Sequence, residues 1–430
     1  MQQPEYIPYQ NRKPRLISIF LGAFALMAVA GLILFQIPRF HRAITWRLDV
    51  AITYARRLIR PVSSMPTPSV QRQPNVVVVT PTTTAVEAVA QEPVAPAITP
   101  TPTMVPTPIP MQAQLPPPAY DEARDKQDWN NCGPATLALQ LRFWGWQGDQ
   151  YEISKVIKPT RDDRNVNVEE LVYFVRTRAG WLNAEYRVGG DLEIIKKLIA
   201  AGIPVIVEES FEVDRQYWPN DDLWSGHYRL ITGYDDGTQM FTAHDTEIGA
   251  NQKVSFADTD ANWQAFNRVY IMVYPSEMEE TVKTVLGEDW DVEINRQNAL
   301  RTAERETQED PDNAFTWFNM GSNLAYFANW NEAAEAFDVA RTIGLPQRMF
   351  RYQFTPFMAY FHSLRTDDLM ALTRYALDIT RTSEEAMLWR GYGLFRLGDK
   401  DAALSHFRSA LRIRPGYYDA ITAIDLVTNN

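Results

Sequence analysis

QDWNNCGPATLALQLRFWGW, residues 127–146, places the only cysteine of the chain, Cys132, where a polar loop turns into an apolar helix. Asn130 and Asn131 stand ahead of it. Leu137, Leu139, Leu141, Phe143 and Trp144 follow, apolar around much of the circumference, and mark 135–146 as a buried helix. A helix N-terminus carries unpaired N–H groups and a partial positive charge, which favours a thiolate over a thiol. A lone cysteine there is a candidate nucleophile; on position alone it is equally a small buried hydrophobe.

Outward from this helix the chain reads as globular from about residue 120. Residues 168–178 form an amphipathic helix ending at Gly180. Asp191 starts another, with Leu192, Ile195, Leu198 and Ile199 as its apolar face and Gly202 as its stop. Strands are expected at 205–209, 228–233, 239–244 and 268–274. The middle two flank Asp235-Asp236-Gly237, a strong hairpin signal. Helices followed by an antiparallel sheet describe an α+β domain.

The 127–146 string and SGHYRLITGYDDGTQMFTAHD, residues 225–245, together resemble a papain-like cysteine peptidase domain. The likeness is to the peptidases that process double-glycine leader peptides of bacteriocins and to their stand-alone relatives, and it covers about 120–275. The resemblance implies a catalytic set of Cys132, His227 and Asp245, with Gln127 lending its amide to an oxyanion hole. In those roles Cys132 attacks a carbonyl as thiolate, His227 protonates the leaving amine, and Asp245 orients the imidazole. The hairpin agrees: His227 near the start of one strand and Asp245 at the end of its partner fall at one sheet edge. Asp235 and Asp236 compete for the Asp245 role, and His244 is expected on the opposite face by strand alternation. Gln127 lies in an ordinary loop sequence. Thr246 stands where the family often has proline. The loop 211–225, with Trp218, Trp224, Asp221 and Asp222, reads as a lid, a subsite wall or a plain connector.

No cofactor is expected. The five histidines are scattered without an i, i+4 pair around a carboxylate, so no metal site stands out. No Gly-rich phosphate loop is present, so the transporter ATPase fused to many leader peptidases is not in this chain. One cysteine excludes an intramolecular disulfide, and a net charge of −11 argues against nucleic acid as a partner.

Ahead of the catalytic region, residues 16–37 carry no charge. At about 1.5 Å per residue they are long enough for a hydrocarbon core of about 30 Å, so an uncleaved transmembrane helix is expected after a tail, 1–15. Arg12, Lys13 and Arg15 favour a cytoplasmic N-terminus and extracytoplasmic domains, although six arginines from Arg39 to Arg60 weigh the other way. Residues 38–60 alternate apolar and basic residues at helical spacing, suited to a membrane surface or to a solvated juxtamembrane helix. Residues 61–119 hold about half of the 28 prolines and no glycine, and are expected to form an extended, disordered stalk.

After the peptidase-like domain (120–280) the chain turns helical and repetitive over 291–430. Ala333, Phe337, Ala340 and Pro346 match Ala403, Phe407, Ala410 and Pro415 at about twice the tetratricopeptide period, and Trp317, Gly321, Gly391 and Pro311 fit the same pattern. The unit between, 348–382, is degenerate. A short all-α solenoid of about three helical pairs is expected, either binding a peptide or protein on a concave surface or simply bracing its neighbour. Three functions compete: a membrane-anchored cysteine peptidase with recruiting repeats, a non-catalytic surface adaptor, and a transglutaminase-like acyl-transferring enzyme.

Overall fold

The computed structural model describes residues 19–24, 26, 27, 29, 31, 38–70, 109–116, 118–161 and 163–429. Two compact units divide the chain: Met1–Pro61 with Tyr217–Asn220, and Val62–Gln216 with Asp221–Asn430. In the first, the basic segment is helix α1 (Pro38–Ile59), with Arg56 and Arg57 in its last turn. Of the apolar span at 16–37, the described residues are helical and the others lie outside the description, as does the tail 1–15. No helix among the described residues is long and apolar enough to cross a membrane.

The second unit begins with an α+β lobe. In chain order it comprises β1 (Gln112–Gln114), α2 (Glu122–Asp125), α3 (Cys132–Phe143), α4 (Gln150–Ile157), α5 (Val168–Arg178), β2 (Leu182–Arg187), α6 (Leu192–Ala200), β3 (Val205–Glu212), β4 (Trp224–Asp235), β5 (Met240–Asp245), β6 (Gly249–Ser255), α7 (Phe256–Gln264), β7 (Tyr270–Pro275) and α8 (Glu279–Leu286). The strands pair antiparallel in the order β2-β7-β3-β4-β5-β6. Strand alternation sends Ile206, Leu230, Ile271 and Val273 into a core with α3 and α5, where Leu137, Leu171 and Val175 meet them. Val205, Val207, Ile231 and Met272 enter a second core with Ile195 and Leu198 of α6 and Trp263 of α7.

The expected stalk needs correction at both ends, while 71–108 and Pro117 lie outside the described residues. Residues 109–116 are part of the sheet: β1 pairs with Gly233–Asp235 of β4, and the Tyr234 hydroxyl donates to the Pro110 carbonyl at 2.6 Å. The proline-free run from Met111 to Leu115 keeps its N–H groups, and β3 pairs with β4 only as far as Ile231, which leaves room for a short partner beyond it. At the other end, Ser69 donates its N–H to Asp368 at 3.0 Å.

A helical lobe follows: α9 (Val292–Glu309), α10 (Ala314–Tyr326), α11 (Trp330–Ile343), α12 (Thr355–His362), α13 (Thr366–Ile379), α14 (Glu384–Arg396), α15 (Lys400–Ile413) and α16 (Tyr418–Asn429). Pairs α10/α11 and α14/α15 pack alike. A Cβ on Gly321 would lie 2.8 Å from the Phe337 ring, and one on Gly391 would lie 2.4 Å from the Phe407 ring. Glycine there lets a phenylalanine of the second helix press on the backbone of the first. The middle pair departs in its first helix, which has 8 residues against 13 in each outer pair. A 3₁₀ turn, Met349–Arg351, precedes it.

Candidate active site

Cys132 occupies the first turn of α3, half-buried, behind a loop that Gln150 organises. The buried Gln150 amide accepts from the Asp128 N–H (2.9 Å) and Asn131 Nδ2 (2.8 Å) and donates to the Arg124 and Lys126 carbonyls (3.0 and 2.9 Å). Asn130 adopts a left-handed conformation, φ 55°. Its carbonyl accepts from Lys158 Nζ, and its side-chain oxygen accepts from Arg351 Nη2 at 2.6 Å. The helix start is seated on β4: Thr136 Oγ1 donates to the Tyr228 carbonyl at 3.1 Å, and a Cβ on Gly133 would lie 3.3 Å from the Tyr228 ring.

Strand β4 carries His227, buried, directly before Tyr228. Its Nε2 lies 3.1 Å from Asp245 Oδ1 at the end of β5. With Nε2 on Asp245, the other ring nitrogen is the one left to interact with Cys132, whose charge acts on His227. Asp245 Oδ1 also accepts the N–H groups of Glu247 (2.8 Å) and Ile248 (3.0 Å), so Asp245 starts a turn and holds the imidazole at once. Arg229 lies opposite Asp245 in register. It bridges Asp245 Oδ2 (3.2 Å) and Glu209 Oε1 (2.6 Å).

These contacts set the charges. Burial opposes ionisation of Cys132, but the His227 hydrogen bond and charge, the Tyr228 N–H and Lys158 outweigh it and hold the thiol below its ordinary value. Burial likewise opposes an imidazolium. The Asp245 charge and hydrogen bond, with Cys132, nevertheless raise His227 to about 10. Asp245 resists its own burial through His227 and Arg229 and stays below the usual carboxylate range. Glu208, buried near Cys132 and Tyr228, is pushed well above that range by desolvation, which disfavours a negative charge beside the thiolate. A thiolate–imidazolium pair is the arrangement these groups favour.

Cys132, His227 and Asp245 are thus brought together, with the His227–Asp245 hydrogen bond as the fixed link and Cys132 interacting with the imidazole. Gln127 is held beside Thr246, the residue after Asp245: its N–H donates to the Thr246 carbonyl (2.8 Å), and its amide oxygen accepts from Thr246 Oγ1 (2.9 Å). A threonine in place of proline therefore orients this amide, turning its NH2 away from Thr246. Asp235 caps the hairpin turn, bonding the Gly237 and Thr238 N–H groups, and Asp236 bonds Lys196. Neither reaches His227. His244 pairs in register with Leu230, and burial lowers it to about 4, so it is a neutral core residue.

Residues 107–271 match the model of the Peptidase_C39 like family. The C39-like region therefore takes in β1, Cys132, His227 and Asp245. A crystal structure described as a C39-like peptidase from Bacillus anthracis is 16% identical, covering 39% of this chain and 94% of that one, at a TM-score of 0.27. The peptidase domain of Streptococcus ComA, a bifunctional ABC transporter of a quorum-sensing pathway, is 14% identical over 38% and 98% of the two chains, TM-score 0.27. YrrB, described as a TPR protein with an unusual peptide-binding site, is 18% identical over 35% and 74%, TM-score 0.28. No curated protein matches the sequence. A region matching the C39-like model is thus followed by a lobe of paired helices.

The repeats also touch the C39-like site, which nothing in the sequence indicates. Arg348 forms a bidentate pair with Asp221 (2.6 and 2.5 Å) and donates to the Trp224 carbonyl (3.0 Å). The Tyr352 hydroxyl lies 2.7 Å from Ser225 Oγ, and Trp224 stacks on Phe266 at 5.7 Å between ring centres. The expected loop 211–225 is shorter in the structure, 213–223 between β3 and β4, and its end at Asp221 together with the first residues of β4 is fixed from the helical lobe. Gln150, Lys158 and Arg351 arrive through tertiary contacts and carry no sequence signature. Arg229 does carry one, because two residues along a strand from His227 is the same face.

Proposed function

We propose that this chain is a cysteine peptidase acting on a peptide or protein. The observation that carries this is the Cys132–His227–Asp245 arrangement, with Cys132 lowered and His227 raised. Cys132 Sγ attacks the scissile carbonyl carbon, and the oxyanion is stabilised by the Cys132 N–H and the Gln127 NH2. His227 gives its proton to the leaving amine, whose departure leaves a thioester on Cys132. Water, deprotonated by His227, then releases the acid and restores the thiolate. Asp245 keeps the imidazole oriented throughout and stabilises it in the steps where it carries the extra proton.

The helical repeats recruit the substrate or a partner, and residues 16–37 anchor the chain with its N-terminus in the cytoplasm and its working lobes outside. The uncharged length of 16–37 supports the anchor. Protease added to intact cells should remove the C-terminal lobes; their survival would reverse the orientation. Catalysis is tested by mass spectrometry of candidate proteins exposed to the chain and to Cys132→Ala. Shortened products with the former alone support the peptidase. Crosslinked products would assign the same thioester to acyl transfer, and no Cys132-dependent product would favour the adaptor.

A further inference from the structure

Residues 62–70 lie on the helical lobe, with Pro68 buried and Met65 and Pro66 half-buried. Met65 packs against the core that holds Phe337, Phe350 and Leu372. The backbone is read at two points: Arg341 Nη2 donates to the Pro66 carbonyl (2.6 Å), and Asp368 Oδ1 accepts the Ser69 N–H (3.0 Å). The Ser69 hydroxyl donates to the other Asp368 oxygen and lies 3.4 Å from Arg365 Nη2. Thr67 is exposed and unread.

The receiving side chains also brace one another. Arg341 is buried and donates to Tyr360 (2.9 Å) and Asp368 (3.3 Å); Tyr360 donates to Asp338 (2.8 Å); Arg365 grips Asp338 (3.0 Å) and Asp368 (2.7 Å). Asp368 stands thirty-five residues from both Ala333 and Ala403, the small residues that pack the outer repeats. A carboxylate at a packing position is a cost that helix packing does not explain, and here it bonds a peptide backbone. The cleft lies on α11 and α13, the second helices of their pairs.

We propose that this cleft is a peptide-recognition site for an extended Met-Pro-x-Pro-Ser segment, which Met65–Ser69 occupies in cis as a partner protein's segment would in trans. Proline at two positions restricts the free segment toward the extended form, so less freedom is lost on docking. The few contacts, held in cis at an effective concentration of about millimolar, suit exchange with a competing chain. This deepens the recruiting role given to the repeats. It is read by binding alone, so its failure leaves the peptidase reading standing, and the converse holds.

The probe is a fluorescein-labelled peptide with the sequence of residues 62–70. The full-length chain with Met65→Gly, Pro68→Gly and Ser69→Gly, which vacates the cleft, should bind it at least about tenfold more tightly than the unaltered chain. A probe with alanine for Ser69 should lose about tenfold. Equal binding by the two chains, or no binding by either, would overturn the proposal. Hydrogen exchange on the unaltered chain avoids any effect of the substitutions on folding. Millimolar unlabelled peptide should speed exchange at the Ser69 amide, and unchanged exchange would equally overturn it.

Discussion

The outer and middle repeats differ in what their second helices present. In α11 and α15 the sequence Ala333/Phe337/Ala340 and Ala403/Phe407/Ala410 is wholly buried and fills against Gly321 and Gly391. At the same offsets α13 has Asp368, Leu372 and Tyr375. The paired first helix is cut short, and Arg348, Arg351 and Tyr352 come before it. Those three touch the loop before His227 or the residue two before Cys132, while Asp368 holds Ser69. The outer pairs keep the packing rule and support. The middle pair breaks it where it meets something other than a helix, so its degeneracy records contact and not decay.

The contrast can be broken by substitution. The largest effect is expected from Arg348→Ala, which strips the bidentate partner from buried Asp221; about 3–5 kcal/mol of stability should be lost, read by chemical denaturation. Arg351→Ala should act on the reaction: releasing Asn130 lets the Cys132 loop shift, and kcat should fall by up to about a hundredfold with KM little changed. Arg351→Lys, which restores the charge without the fork, should rescue it only partly. Gly391→Ala, by contrast, pushes a methyl into Phe407 and should cost about 1–3 kcal/mol, with kcat unaltered in the folded fraction.

A smaller and pH-dependent effect is expected where α5 meets the last repeat. Glu385, bonded to Asn167 at 3.2 Å, is raised to about 8, chiefly by burial and then by Asp163, which burial itself raises to about 6. Glu384 is also raised, and Arg414 and Lys158 are the facing cations. A carboxyl raised in the folded state stabilises fully below its unfolded value and loses that contribution as pH rises through its folded value. The melting temperature should therefore fall between about pH 4.5 and 8. Glu385→Gln should flatten that slope by one titrating group, as following melting against pH would show.

Much of this was legible in the sequence where one local pattern sufficed. The apolar helix after Cys132, the Asp-Asp-Gly hairpin and the glycine–phenylalanine pairs of the outer repeats each declare themselves within a few residues or one period. Strand β6, Gly249–Ser255, does not: Ala250, Asn251, Gln252 and Lys253 give no apolar alternation, and only pairing with β5 makes them a strand. Strand β1 was hidden in a proline-rich stretch for the same reason. Within the site, Cys132, His227 and Asp245 come from the resemblance of the two strings to a peptidase family, with which the hairpin geometry agrees. Lys158, Gln150 and Arg351 act through loop carbonyls and side chains from distant segments, and spacing cannot reveal them.

The thiolate itself gives the most direct test. The rate of Cys132 alkylation by a thiol-directed reagent should be followed from pH 4 to 11 in the unaltered chain and in His227→Ala. The unaltered chain should show a reactive plateau that begins below the ordinary thiol value of about 8.5, with a change near pH 10 as His227 loses its proton. In His227→Ala the low-pH plateau should vanish. A single rise centred at or above the ordinary thiol value in both proteins would contradict it.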